Sequence, residues 1–320
     1  MADESKVQVT LAPPVPPSAK DGMVDLWAHP HPLSLLADAD PQLAANKRLV
    51  FDMWRSVVNA GHEELADSML AEGYIQHSPV ISTGREAFKK VFAGVERRKI
   101  PDVVSPPLIT ILAENDLVVM ALREEMKGPD GRPFVTTHFN LFRIAGGRLA
   151  EHWHSVELPP GPATPPPEAG GPQRVTGRVG DAQLDLLRAA DPTLAANKRL
   201  VFDAWRTVFE ATHEDEAERF VAAAYVEHDP NHASGRKALT ARLASFPDKS
   251  VESHVSQPVV AVVAQANLVV LVTARVHPHP ARRGETYTTT GFDMFRMADG
   301  WIAEHWTGDA LAGAPPPVYD

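Results

Sequence analysis

The sequence has no cysteine, no surplus of positive charge and no long apolar run, and each absence removes a class of function. Without Cys there is no disulfide, no thiolate-bound zinc and no cysteine nucleophile. The net charge is −10 and the basic residues are scattered. Their nearest approach to a cluster, Glu96-Arg97-Arg98-Lys99, reads as a solvated helix end. Nucleic acids and anionic membranes reward clustered Lys and Arg, so neither is an expected partner. No apolar stretch approaches the roughly 18 residues of a membrane span. The acidic start, Met1-Ala2-Asp3-Glu4-Ser5-Lys6, lacks the apolar core of a signal peptide. A soluble, cytoplasmic protein is expected. Apolar residues at 44% and charged residues at 22% suit globular folding, and 320 residues are enough for two domains.

Comparing the chain with itself is more informative than any single motif. Asp40 through Arg55 returns as Asp191 through Arg206, and only Gln42/Thr193 and Met53/Ala204 differ. Tyr74-Ile75-Gln76-His77-Ser78-Pro79 is echoed by Tyr225-Val226-Glu227-His228-Asp229-Pro230, and Gly84-Arg85 by Gly235-Arg236. Phe139-Asn140-Leu141-Phe142-Arg143 matches Phe292-Asp293-Met294-Phe295-Arg296, and Ala150-Glu151-His152-Trp153 matches Ala303-Glu304-His305-Trp306. Order and spacing hold throughout, so one domain has been duplicated. The expected division is an extended or disordered arm over 1–32, domain 1 over 33–157, a linker over 158–180, domain 2 over 181–310 and a tail over 311–320. Pro159-Pro160 and Pro165-Pro166-Pro167 predict a semi-rigid polyproline spacer.

Each copy opens on Asp-Pro, a capping side chain followed by a residue suited to the first helical turn. Val50, Trp54 and Val57 then form one apolar face. A second helix is expected over Glu63–Leu70, a short strand over Tyr74–His77 and a third helix from Gly84 to Val95. The remainder reads as strands, with turns at Glu114-Asn115-Asp116, Gly128-Pro129-Asp130-Gly131 and Gly146-Gly147. The fold class is α+β: two tandem cone-shaped domains, each a curved antiparallel sheet packed on N-terminal helices around an apolar pocket.

Taken in order and twice over, these motifs resemble the SnoaL-like branch of the nuclear transport factor 2-like superfamily. They are Asn46-Lys47 in the first helix, Tyr-x-x-His-x-Pro, the Gly-Arg helix start, Phe-x-x-Phe-Arg and Glu-His-Trp. That superfamily includes ketosteroid isomerase, limonene epoxide hydrolase and polyketide cyclases, beside members with no catalysis. The resemblance implies acid–base work on a hydrophobic small molecule, with no obligatory cofactor.

Strand alternation puts His138, Asn140 and Phe142 on one face, with His152 and His154 beside them; the second copy offers Gly291, Asp293, Phe295, His305 and Thr307. By resemblance, His77 and His228 stand where ketosteroid isomerase carries its proton-shuttling carboxylate, and imidazole can do that work near neutral pH. A buried His bonded to a backbone carbonyl is the competing reading. Asn140 and Asp293 stand where the isomerase carries its oxyanion-stabilising acid. His154 follows Glu-His-Trp where relatives often have Asp, and the second copy has Thr307, which is no base at neutral pH. His77, Asn140, His154, His228 and Asp293 are thus the catalytic candidates. Tyr74, His138, His152, Trp153, Tyr225 and His305 are the ligand-binding ones.

His152-x-His154, with His138 and His77, could supply imidazoles to a metal, but Glu-His-Trp belongs to the family without metal, and no metal site is assigned. His29-Pro30-His31-Pro32 and His277-Pro278-His279-Pro280 read as turn chemistry. Trp54, Trp205, Trp153 and Trp306 are expected to fill the cones. The leading function is an isomerase, lyase or cyclase that needs no cofactor. The alternatives are a non-catalytic ligand-binding or assembly module and a water-activating hydrolase. The copies are expected to pair as an internal pseudo-dimer, or with a second chain as a homodimer.

Overall fold

The computed structural model describes Leu11 and residues 24–314. The proline-rich stretches Pro13–Pro17 and Pro315–Pro317 lie outside the described residues. The described part of the arm lies against domain 1: His29 N donates to Leu108 O at 2.7 Å, and Arg123 Nε donates to Leu26 O at 2.7 Å.

Both copies begin as the Asp-Pro pairs predict. α1 (Pro41–Met53) is capped by Asp40, whose carboxylate accepts from Gln42 N at 2.8 Å. Asp191 caps its counterpart through Thr193 N at 2.7 Å. α1 runs on into a π-helical turn over Trp54–Val58, and Val50, Trp54 and Val57 are buried. The second helix is shorter than expected. α2 (Ala66–Met69) gives way at Leu70, where β1 (Leu70–Gln76) already begins. Leu70 pairs with Leu149 in parallel register, so sheet pairing overrides the helical tendency of this stretch. Gly84, at φ +98°, turns the chain into α3 (Arg85–Phe92).

Four strands follow: β2 (Leu108–Glu114), β3 (Leu117–Lys127), β4 (Pro133–Ala145) and β5 (Arg148–His154). The sheet order is β1-β5-β4-β3-β2. It is antiparallel from β2 to β5, and β1 joins β5 in parallel. Domain 2 repeats the plan with α4 (Pro192–Ala204), α5 (Ala217–Phe220), β6 (Val221–Glu227), α6 (Arg236–Leu243), β7 (Val259–Gln265), β8 (Leu268–Pro278), β9 (Thr286–Ala298) and β10 (Trp301–Thr307). Its strand order is β6-β10-β9-β8-β7.

One face of each sheet wraps its own helices, and the other packs on the other domain. Phe139 stacks on Phe292 with ring centroids 5.4 Å apart and planes 2° apart. With Leu141, Val272 and Met294 they belong to one buried cluster spanning both domains. Two polar locks flank it at matched positions. Glu114 accepts from Lys198 Nζ at 2.6 Å and from Ala264 N at 2.7 Å. Gln265, its counterpart, accepts from Ala113 N at 2.9 Å and donates to Asp38, which pairs with buried Lys47 at 3.0 Å. The linker is docked: Gln173 N donates to Gln76 O at 2.9 Å, Val175 is buried, and Arg178 bridges Val259.

Candidate functional site

Inside domain 1, alternation along β4 and β5 turns His138, Asn140, Phe142, His152 and His154 toward the helices. Asn140 stands opposite His154, and Phe142 opposite His152. His152 bonds Asn140 Oδ1 at 2.9 Å and Gln76 Oε1 at 3.1 Å, and lies flat on Phe142 with centroids 4.4 Å apart. His154 is 5.4 Å from His152 and 6.2 Å from His138, whose ring meets Trp54 edge-on at 5.9 Å. Tyr74 packs against Phe88 with its hydroxyl unpartnered. The structure thus brings Tyr74, His138, Asn140, His152 and His154 together. A file of rings lines the interior where an apolar pocket was expected. Burial pulls His152 well below the usual imidazole range. Burial and the neighbouring His138 bring His154 down to about 3. Both are neutral at pH 7.

His77 and Trp153 are not part of this group. Period-two alternation puts Tyr74 and Gln76 inside the cone, and His77 turns to the opposite face. There it stacks on Trp153 at 4.8 Å, with Nε2 2.7 Å from Glu151 Oε1 and Nδ1 3.0 Å from Arg174 O. Both ring nitrogens face acceptors, so neither is directed at a substrate. His228 repeats the stacking and the carboxylate contact, on Trp306 at 4.6 Å and with Nε2 3.0 Å from Glu304, but its Nδ1 is buried without a partner. The expected meetings of His77 with His154, and of His228 with Asp293, do not occur. Trp54 and Trp205 lie inside the cones, whereas Trp153 and Trp306 lie outside them.

Open space begins at the rim of the first cone. Glu124 on β3 is diagonal to His138 on β4 and shares its face, with Oε2 3.0 Å from His138 Nδ1. A carboxylate there favours the proton on Nδ1 and leaves Nε2 as the acceptor. That Nε2 is buried and has no partner, as are Asn140 Nδ2 and His154 Nε2. His138 forms part of the lining of a cleft of about 170 Å³, which Glu124, Thr136, Ser155 and Val156 also line. Glu124 is absent from the sequence candidates, although the hairpin register and alternation place it beside His138.

Domain 2 has the same scaffold with different chemistry. His138 becomes Gly291, and Glu124 becomes Arg275. A side chain at 291 would begin 2.5 Å from Arg275 Nε, so the guanidinium occupies that space. Arg275 pairs with Glu157 at 2.7 Å and Asp309 at 3.1 Å. Deeper in, Gln76 and Asn140 are replaced by Glu227 and Asp293. His305 lies between these carboxylates at 3.1 and 3.0 Å, and Tyr225 donates to Glu227 at 2.7 Å. Burial alone would lower His305, but the two carboxylates outweigh it and push it up to about 10. Tyr225, Asp293 and His305 therefore converge, without His228. Among the described residues, no group of three or more His, Asp or Glu side chains is arranged to hold a metal ion. Nor is any helix among them long and apolar enough to cross a membrane.

Two family models match along the chain: SnoaL-like polyketide cyclase over residues 48–158 and SnoaL-like domain over residues 202–305. The chain is a tandem of two SnoaL-like domains. Each falls on one of the five-stranded units described above, so the duplication and the family coincide. Solved structures similar to one SnoaL-like unit include TsrD from Streptomyces laurentii, at 22% identity over 37% of this chain and 90% of that one, with a TM-score of 0.27. An LEH-like epoxide hydrolase from M. tuberculosis is 15% identical over 36% of this chain and 84% of that one, with a TM-score of 0.27. An NTF2-like protein of unknown function from Mesorhizobium loti is 16% identical over 37% and 94%, with a TM-score of 0.28. No curated protein sequence matches.

Proposed function

We infer that domain 1 is an acid–base enzyme that removes a proton alpha to a carbonyl in a small molecule, the first step of an isomerisation, elimination or cyclisation. No cofactor is called for. His138 is the base, and Glu124 holds its tautomer and stabilises the imidazolium that forms. Asn140 Nδ2 and His154 Nε2 are buried and unpartnered beneath the cleft rather than in its lining, and reaching a developing enolate oxygen would require the substrate to pass below the rim. The reading rests on one observation: a buried imidazole nitrogen without a partner, on a histidine that a carboxylate backs and that lines a cleft. His77 keeps a different role, holding the end of β1 against Glu151 and the linker.

The test is deuterium uptake by enolisable ketones in heavy water. His138→Ala should lower uptake by about 10²–10⁴-fold, and Glu124→Gln by a smaller factor. His77→Ala should change it only several-fold. Full uptake by the His138→Ala protein would end this assignment. For domain 2 the favoured reading is a non-catalytic assembly module, because Gly291 and Arg275 replace the base and its carboxylate.

A further inference from the structure

The cleft over His138 is not built by domain 1 alone. After β10 the chain leaves domain 2 and crosses the rim of the first cone. Gly308 presses against Ser155, and any side chain at 308 would begin 2.4 Å from Ser155 Cβ. Thr136 Oγ1 donates to Asp309 O at 2.6 Å. Asn231 holds the strap from behind, donating to Ala310 O at 3.0 Å and accepting from Ala312 N at 2.7 Å. Ala310 and Ala314 then complete the wall facing Met126, Val156 and Leu158.

We propose that this strap makes the site composite: domain 2 supplies the wall that fixes what domain 1 accepts, and the occupant is a neutral carbonyl compound about one ring in size. The size follows from the volume. About 170 Å³ is close to the ~150 Å³ cavity that holds a benzene ring, and below the ~300 Å³ at which drug-sized pockets begin. Neutrality follows from the lining. Among the described residues no Lys or Arg faces the cleft, while the Glu124 carboxylate does, so an anion meets repulsion and finds no counter-charge. Small alanines at 310 and 314 leave the room that larger residues would take. The inference rests on the acid–base reading only in naming the occupant a carbonyl compound. In that step the α C–H bond breaks, its proton passes to His138 Nε2, and the electron pair goes to the enolate oxygen. Return of a solvent deuteron to carbon balances the exchange.

The test uses the full chain with cyclohexanone, 2-decalone and levulinate, reading binding by saturation-transfer NMR and turnover by deuterium uptake. Cyclohexanone should bind at least about tenfold more tightly than 2-decalone, and levulinate should not bind. Ala310→Trp, at an exposed position, should fill the cleft and weaken cyclohexanone binding by about tenfold or more while circular dichroism is unchanged. Gly308→Val should lift the strap from Ser155 and shrink the preference for one ring over two to below about threefold. Binding of 2-decalone or levulinate as tight as that of cyclohexanone, no binding of any probe, or an Ala310→Trp protein that binds like the parent would each overturn the proposal. Selective binding without deuterium uptake would leave the composite cleft standing and sink the role given to His138.

Discussion

Replacing Glu227 by Gln and Asp293 by Asn in one chain would give domain 2 the neutral arrangement that domain 1 already has around His152. In the parent, His305 is an imidazolium held by two buried carboxylates, with Phe295 stacked on it at 4.5 Å and Phe209 at 5.7 Å. A rise from 6.5 to about 10 corresponds to roughly 5 kcal/mol of differential stabilisation at ~1.36 kcal/mol per unit, which is a ceiling. Because the folded value is raised, the contribution is complete below about pH 6.5 and is lost as pH climbs through about 10. The two carboxylates act elsewhere. Burial would raise Glu227, but the charge and hydrogen bond of His305 hold it below its usual range, whereas burial pushes Asp293 up. The parent should therefore lose stability between about pH 7 and about pH 9.5, and the double variant should lose several kcal/mol less. Urea unfolding of both proteins at the two pH values gives the difference, from which Lys and Tyr titrations common to both cancel. Imidazole NMR should show His305 charged at pH 8 in the parent and neutral in the variant. A parent His305 that is neutral at pH 8, or equal pH slopes in the two proteins, would refute the reasoning.

His154 gives the opposite slope. Its folded value of about 3 lies below the unfolded one, so stability present above about pH 6.5 drains away on acidification, and His154→Thr should make that slope shallower in urea titrations, with His152 keeping the remainder. Phe139→Ala removes one of two stacked rings between the sheets and should cost about 3–5 kcal/mol, measured by denaturant unfolding. Glu114→Ala leaves Lys198 buried without its carboxylate and Ala264 N without its acceptor, and should cost about 3–5 kcal/mol. Glu114→Gln, which copies the residue at the matched lock, should cost less in the same assay.

The duplication, the capped first helices and the hairpin turns were legible because each rests on local chemistry. Asp40 caps as its neighbour Pro41 predicts, and Gly131, Gly146 and Gly147 take the left-handed conformations that their turns demand. The short second helix was not legible, since Leu70 is held by Leu149, far away in sequence. The site was legible in part. Alternation applied to β4 and β5 correctly grouped His138, Asn140, His152 and His154. The same period applied to Tyr74-Ile75-Gln76-His77 puts Gln76 inside and His77 outside, and there the resemblance to ketosteroid isomerase outweighed the residue count. Glu124 needed the β3–β4 register, which the Gly128–Gly131 turn supplies. The linker misled in another way. Its prolines predict a spacer, but Arg174 O and Gln173 N hold it to domain 1 while Arg178 holds it to Val259.

What separates the two domains is a small set of exchanges with one physical direction. Gln76 to Glu227 and Asn140 to Asp293 preserve shape and add charge around an unchanged His. His138 to Gly291 and Glu124 to Arg275 remove a base and install a cation that is already paired. In domain 2 every charge named in the interior or at the rim has an ionic partner within 3.1 Å. Domain 1 differs in keeping an amide at Asn140 and an imidazole beside the cleft at His138, each with an unpartnered nitrogen. Buried polar atoms without partners destabilise a fold by roughly 1–3 kcal/mol each. Both halves carry such atoms, and the shared core of Phe139 and Phe292 ties the two together. Separating the domains should destabilise both, and domain 1, which takes part of its cleft wall from the segment after β10, should be the half that loses its reaction.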